Sequence, residues 1–577
     1  MQAPEPVPVK GAEQDEERRQ RAARLQQMVQ VAVLAVYAAV VGAGIAWHEP
    51  WADEAQAWLL ARDQGFWHLM LHSLRYEGSP GLWHALLWVL ARAHVGYTGM
   101  RWVAGAFAVA GVYVFLRWSP FPLVLKILLP FGFWLAYQNA VVARSYVLFG
   151  VLAFSAAAIL RSMAGDRRAG RRDAAKLFWL ALILGMMGNL SLHGLVASAG
   201  FALVAFSILR RRAHAGFANS IRLPACLLCA FWIFAVATTV PPSDVDFAAG
   251  KNLERSTEKI WAAFGNKQAK AELAARQSDA NDVRPGELAP IPPVEFHRSA
   301  KEALWRKAAR ALALLTYPVS NFRWAALAVL LLIVVQAVVF RAGIGGEQMG
   351  WVGLLPWALM VLVFTSVYLA PRHAGMLWVA LVAALWLTWP EERAGASWKV
   401  CVNRITVAAL LLIAGDQAWW TARAVWADIH GPYSGDVAMA KFLRAQAPGK
   451  RIAGFYYHSV GPVALLPHSV YFNQPASYWI WSQRVRIDQQ APATIASHPD
   501  VIVVGGFDWS PKNGTITDDW IAPTLSELNR IPLNDVYQII PYAEAHGYRE
   551  THRFCGSAFM RQGYSEIECQ VALEPVQ

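Results

Sequence analysis

Two adjacent carboxylates, Asp53 and Glu54, follow a long apolar run in Trp47-His48-Glu49-Pro50-Trp51-Ala52-Asp53-Glu54-Ala55-Gln56-Ala57-Trp58. A carboxylate in this setting can take the proton of a hydroxyl nucleophile. Acids at the mouth of a membrane span are costly to dehydrate, which makes them candidates for function. Two acids in the first turn of a helix also answer the helix dipole. The dipole does not explain why both stand at such a mouth, beside Trp47, Trp51 and Trp58.

Basic residues recur at the ends of later apolar stretches. Arg101 opens one, Arg144 opens another in Ala143-Arg144-Ser145-Tyr146, and Arg372 with His373 opens a third in Ala370-Pro371-Arg372-His373. A single arginine in such a place snorkels to headgroups. Three at one level form an anionic site, because the guanidinium presents a planar fork of donors that matches phosphate. His193, in Leu190-Ser191-Leu192-His193-Gly194, ends a further stretch. It can bind phosphate or, with a carboxylate, a metal, although a lone histidine at a helix end is more often only hydrogen-bonded. The metal reading is weak because no HxxxH, HExxH or paired-carboxylate metal motif is expected in the chain, and with no P-loop or dinucleotide fingerprint no metal site or cofactor is assigned. A divalent cation stays open.

The elements that position these groups are apolar. Of 577 residues, 56% are hydrophobic and only 16% charged, against about a quarter charged in soluble domains. The chain reads as a polytopic α-helical membrane protein. Its 27 Trp and 17 Tyr suit interfacial belts. The net charge of +12 is spread over loops, which points to topology and membrane-lipid contact and away from nucleic acid. Residues 1–27 are polar and read as a disordered cytoplasmic N-terminus; 28–47 is an uncleaved anchor.

Twelve apolar stretches lie near 28–47, 80–95, 101–117, 122–138, 142–160, 177–192, 193–209, 223–240, 324–340, 351–370, 373–389 and 405–424. Basic segments at Arg18–Arg24, Arg161–Lys176, Arg210–Arg222 and Arg393–Arg404 belong in the cytoplasm. Five stretches separate the first two segments, so one of the five does not cross. The weakest is 80–95, short and carrying His84, Arg92 and His94. It is expected to lie in the outer interface after a turn at Glu77-Gly78-Ser79-Pro80. Eleven spans remain, with the N-terminus inside and the C-terminus outside. Outer loops then fall at 48–100 and 241–323. The basic stretch Lys301–Leu315 is assigned to the outer surface, since long loops are exempt from the charge rule.

From 425 to 577 the pattern becomes that of a small extracytoplasmic α/β domain. Residues 437–443 and 526–546 are helical in period, while 451–457, 501–504, 550–556 and 565–573 read as strands. Cys555 and Cys569 both fall in this tail, either bridged or as two free thiols. Cys226 and Cys229 lie in a span, where packing is the expected role. Asn513-Gly514-Thr515 has the form of a glycosylation acceptor.

The acidic pair after the first span, the interfacial helices in the first outer loop, the Arg opening the next span, and Ala143-Arg144-Ser145-Tyr146 at a later outer turn together resemble the GT-C superfamily of membrane glycosyltransferases. The layout is similar to the bacterial branch of the protein mannosyltransferase and lipid A aminoarabinose transferase group over residues 28–424. The tail resembles the extracytoplasmic domain that many such members carry. The resemblance implies an enzyme of the bacterial inner membrane that transfers a sugar from a polyprenyl-phosphate donor to a lipid, glycan or protein acceptor. It implies Asp53 as the catalytic acid position with Glu54 beside it, and Arg101 and Arg144 near the lipid phosphate. Where the family often has Pro-Pro before the interfacial helix, this chain has Gly78-Ser79-Pro80; where the family often has Arg-Pro-Tyr, this chain has Arg144-Ser145-Tyr146.

The chemistry agrees with that layout. A sugar phosphate is already activated, a carboxylate deprotonates the acceptor, and arginines stabilise the departing phosphate. Asp53 is then the base and Glu54 supports it or binds a cation. Arg101, Arg144, Tyr146, His193, Arg372 and His373 make up the donor side. A transporter would instead place charges at mid-membrane in paired halves, and no such repeat is evident. A non-catalytic lipid-binding scaffold is the third reading.

Overall fold

Backbone amides cannot be left bare in lipid, so an apolar run of this kind folds as helix. The computed structural model describes residues 10–165, 171–210, 217–240, 329, 331–332, 350–366, 373–389, 397–446, 448–474, 487–488, 490–508, 539–558 and 566–576. Outside the described residues lie most of the expected stretch 324–340, the loop 241–323 with Lys301–Leu315, Arg372 and Asn513.

The helices are α1 (Lys10–Trp47), α2 (Ala52–Asp63), α3 (Leu82–Arg92), α4 (Tyr97–Trp118), α5 (Leu123–Leu128), α6 (Tyr146–Gly165), α7 (Arg171–Gly188), α8 (Leu192–Arg210), α9 (Phe217–Thr239), α10 (Leu355–Ser366), α11 (Ala374–Thr388) and α12 (Ser397–His430). Six described helices are long and apolar enough to cross a membrane: Glu17–Trp47, Tyr97–Trp118, Tyr146–Gly165, Leu192–Arg210, Ile221–Thr239 and Val400–His430. The remaining apolar stretches take other forms. The run 122–138 is broken: Pro130 lies in a single 3-10 turn after α5, Gly132 is extended, and a π turn follows at Trp134–Gln138. Proline removes an amide donor and glycine loosens the backbone, so a continuous helix does not form there. α10 and α11 have only 12 and 15 residues.

Contacts between helix ends show how the chain runs. His48, just past α1, meets Asp428 near the end of α12. Arg101 in the first turns of α4 donates to the His48 carbonyl, and Ala143 N–H donates to Glu54. These groups share one end of the bundle. The opposite end carries Arg161, which donates to the carbonyls of Trp386 and Trp389 at 2.8 and 3.0 Å, and Phe121, whose ring lies 4.7 Å from that of Trp389. α1 and α12 therefore run in one direction, and α4, α6 and α11 in the other.

α3 does not traverse the bundle. Its first amide, Leu82 N–H, donates to the Asn189 carbonyl at 3.0 Å. At its far end Arg92 donates to the carbonyls of Arg62 and Gln64. Asn189 and Gln64 both belong to the end that carries Asp53. Before α3 the chain turns at Gly78, whose φ of +60° is a left-handed conformation that glycine adopts without strain.

Beyond α12 come α13 (Asp436–Gln446), α14 (Val460–Ala464), α15 (Ala491–Ala496) and α16 (Ile539–Ala545), around strands β1 (Ile452–Phe455), β2 (Val501–Asp508), β3 (Tyr548–Ala558) and β4 (Glu566–Pro575). The sheet order is β1-β2-β4-β3, with β1 and β2 parallel and the other pairs antiparallel. Of the helical expectation at 526–546, the described part is α16. Cys555 and Cys569 face each other across β3 and β4 and are bridged. This settles the alternative left open by the sequence in favour of a disulfide. Cys226 and Cys229 are exposed free thiols.

The tail docks on α2. Arg62 of α2 donates to the carbonyls of Val463 and Leu466, the latter at 2.6 Å. Ser434 donates from its amide and hydroxyl to Glu49, and its hydroxyl also lies 3.2 Å from the Pro50 carbonyl. Burial pushes the Glu49 carboxyl up to about 7 from an ordinary 4.5, against the opposing pull of the Ser434 donors and His48. The folded chain then holds a proton that the unfolded chain has released between those values, and stability falls as pH rises through that window. Glu49→Gln keeps the acceptor and removes the charge. It is expected to melt above the parent protein at about pH 8 and level with it near pH 4, read by thermal unfolding in detergent.

Candidate active site

Asp53 and Glu54 occupy the first turn of α2, where acids meet the helix dipole. They are successive residues on a helix, so they face different ways. The Glu54 side chain is fully buried, whereas that of Asp53 is 12% exposed. This difference separates their chemistry: only Asp53 is open to a substrate.

Asp53 Oδ2 forms an ion pair with Arg144. Its other oxygen, Oδ1, accepts from the Tyr457 hydroxyl at 2.7 Å. That hydroxyl also lies 2.9 Å from Gln56 Oε1, and Gln56 is turned by donating its amide to Glu77 at 2.7 Å. Burial, together with the Asp53 carboxylate, raises the Tyr457 phenol well above its ordinary value, so it stays a protonated donor. The Arg144 guanidinium stands over the Tyr146 ring at 5.7 Å. Tyr146 meets the His373 ring edge-on at 5.2 Å, and His373 lies 4.7 Å from His193. Asp53, Arg144, Tyr146, His373 and His193 thus form a continuous line of contacts across four elements. Arg372 lies outside the described residues.

His84 on α3 belongs to the same region. Burial lowers it to about 3 from 6.5, and the Arg144 charge adds to the effect. Its imidazole is therefore neutral, and Nδ1 has no hydrogen-bond partner among the described residues.

Glu54 and Arg101 serve a different cluster. Glu54 Oε1 accepts from Ala143 N–H at 2.7 Å and Oε2 from Trp51 N–H at 3.3 Å. Its Oε2 lies 3.7 Å from His48 Nε2. His48 Nδ1 donates to Asp428 at 3.1 Å, which also accepts from the Tyr137 hydroxyl at 2.8 Å. Burial alone would lower His48. The charges and hydrogen bonds of Asp428 and Glu54 outweigh it and push His48 up to about 9. Arg101 caps the cluster at the His48 carbonyl, itself only 7% exposed. This polar knot ties the ends of α1 and α12, the start of α4 and the segment before Arg144 to α2. It thereby fixes where Asp53 and Arg144 stand. Arg101 anchors this knot through the His48 carbonyl.

Sequence patterning assigned no site role to His48, Gln56, Tyr137, Asp428 or Tyr457, and noted Glu77 and His84 only as part of a turn and of a non-crossing stretch. Asp428 carried a usable signal, an acid at the end of the last apolar helix. Tyr457 carried none, since a tyrosine in a strand-like stretch is ordinary. Contrary to the expectation that the chain has no HxxxH motif, His68 and His72 form one, with rings 4.6 Å apart in the helical segment after α2. Among the described residues no group of three or more His, Cys, Asp or Glu is placed to hold a metal.

The backbone also carries strain here. Tyr456, next to Tyr457, has φ 63° and ψ 157°, a region that side-chain-bearing residues avoid at a cost of about 1–3 kcal/mol. Tyr456→Gly is expected to unfold at a higher temperature than Tyr456→Ala, by about 1 kcal/mol in stability, because only glycine relaxes at this φ. No protein-family model matches the chain, and no curated protein matches it.

Proposed function

We propose that the chain is a glycosyltransferase of GT-C type, which moves a sugar from a polyprenyl-phosphate donor to an acceptor hydroxyl. The observation that carries this reading is the contact of Asp53 with Arg144 at one end of an apolar bundle, both partly open, with Tyr146, His373 and His193 in line behind. A base and a phosphate-binding cation are what the reaction needs, and a lipid-linked substrate brings its phosphate to that depth.

In this reading Asp53 takes the proton of the acceptor hydroxyl. The hydroxyl oxygen forms a bond to the anomeric carbon as the bond from that carbon to the phosphate oxygen breaks. The electron pair leaves on the polyprenyl phosphate, whose charge Arg144 receives through its planar fork. Arg144 exchanges Asp53 for phosphate, and this frees the carboxylate as donor binds. Glu54, fully buried, holds α2 against Ala143 and does not meet the acceptor.

The topology belongs to the same proposal: eleven passes through a bacterial inner membrane, with the N-terminus in the cytoplasm and Asp53 and the tail outside. The Cys555–Cys569 disulfide suits an oxidising exterior. Arg161, in the first basic loop, lies at the end of the bundle opposite Asp53, in keeping with the charge rule.

The test uses purified protein in nanodiscs with a panel of undecaprenyl-phosphate hexoses and pentoses, and with solubilised envelope extract as acceptor. Release of free undecaprenyl phosphate together with a glycosylated product is expected with at least one donor. Movement of an intact donor or solute across vesicles without cleavage would instead favour a transporter.

A further inference from the structure

The hydroxyl of Tyr457 reaches Asp53 from 404 residues further along the chain. Docking the tail onto α2 does not require it. Arg62 already holds the carbonyls of Val463 and Leu466, and Ser434 already holds Glu49. A phenylalanine would fill the same space. What the hydroxyl adds is one directed hydrogen bond to a carboxylate.

The chain takes trouble to aim it. β1 ends at Phe455, and Tyr456 then adopts its strained conformation. Tyr456 N–H donates to Asp488 at 2.8 Å. Its carbonyl accepts from Ser459 Oγ at 2.7 Å and from Ser459 N–H at 3.2 Å. Strained residues persist where their surroundings over-determine them, and they cluster at functional sites. The turn so fixed swings the next side chain out of the sheet and into the bundle. There the Gln56 carbonyl oxygen, fixed by the bond of its amide to Glu77, lies 2.9 Å from the same hydroxyl, and the single proton goes to the shorter, charged acceptor, Asp53 at 2.7 Å.

From this geometry we infer that Tyr457 is a positioning residue for the base, and that the tail sheet is therefore a working part of the site rather than an appendage. The inference rests on the reading of Asp53 as base. Tyr457 holds Oδ1 of Asp53 and leaves Oδ2, now on Arg144, to turn to the acceptor when phosphate claims the guanidinium. A hydrogen bond to the charged form also favours that form, so Tyr457 keeps Asp53 deprotonated to lower pH. Other titratable or charged groups near Asp53 include Arg144 from the segment before α6 and, one step behind, Glu77 through Gln56 and His84 through Arg144.

The test is Tyr457→Phe, measured beside Asp53→Asn, in the release of undecaprenyl phosphate from an undecaprenyl-phosphate sugar across a pH series. Losing a hydrogen bond to a charged group is expected to lower kcat by about 10- to 100-fold with the donor KM unchanged. The acid limb of the kcat profile is expected to move up by about one pH unit. Wild-type kcat and an unmoved limb would overturn the inference. Should Tyr457→Phe melt early, 3-fluorotyrosine at 457 is read instead. It keeps the shape and is a stronger donor, so the limb is expected to move down, and an unmoved limb again overturns the inference. If Asp53→Asn is inactive while Tyr457→Phe behaves as wild type, the role of Tyr457 alone fails. If Asp53→Asn is fully active, the base assignment fails and this inference with it.

Discussion

Asp53→Asn is expected to lower sugar transfer by about 10²–10⁴-fold, the range that general-base catalysis contributes. The amide cannot take the acceptor's proton, but it keeps an oxygen to accept from Tyr457. The Asp53 and Arg144 side chains are 12% and 21% exposed, so the guanidinium keeps access to water when its partner's charge is removed, and the isosteric amide still fills the site. The melting temperature should therefore stay close to that of the parent protein. Arg144, released from its partner, is available to phosphate, so donor KM should not rise. Loss of kcat with a native melt and an unchanged or lower KM is the combined signature. A variant that retains full kcat removes Asp53 from the chemistry.

The neighbouring carboxylate is expected to behave in the opposite way. Glu54→Ala leaves Ala143 N–H without an acceptor in a fully buried site and strips one of two carboxylates from a charged His48. Removing one member of a buried charged cluster costs about 3–5 kcal/mol. Detergent-solubilised Glu54→Ala should accordingly melt well below the parent, and Asp428→Ala should follow it. The cluster also sets a pH dependence. The folded value of His48, about 9, lies above its ordinary 6.5. The stabilisation is then complete below about 6.5 and is lost as pH rises through about 9. Melting curves taken across that window should show the parent losing stability and Glu54→Ala losing less. A Glu54→Ala protein that melts like its parent yet transfers no sugar would make Glu54 the chemical group, in place of Asp53.

These two outcomes mark what could be read from the chain and what could not. That Asp53 and Glu54 stand at the mouth of the first apolar helix was legible from hydropathy. Treating them as partners followed adjacency in sequence, whereas a helix turns each residue about 100° from the last, so one faces the pocket and one the interior. Arg144 and Tyr146 were visible as a polar break before an apolar helix. Arg101 looked equivalent to Arg144, yet one bonds the His48 carbonyl and the other the Asp53 carboxylate. Position relative to a span does not reveal which way a side chain leaves the helix.

Long-range partners were hidden for a different reason. His48 and Asp428 are 380 residues apart, and nothing local in either segment announces the other. The run 122–138 was read as one apolar stretch, and its internal break was not foreseen, although Pro130 and Gly132 already said that the helix would not be continuous. The failure of 80–95 to traverse was legible, because its charges and length count against burial in lipid. The tail strands were found by alternation. The directed turn at Tyr456 was not, since positive φ at a tyrosine has no signature in sequence.

A structure by electron cryomicroscopy, in nanodiscs with undecaprenyl phosphate added, tests the assignment of the site. The phosphate is expected within hydrogen-bond distance of the Arg144 guanidinium, with Asp53 turned free of it and the lipid tail running down the bundle beside Tyr146 and His373. A phosphate seated at the end that carries Arg161, or an Asp53–Arg144 pair unchanged by saturating lipid, would contradict it.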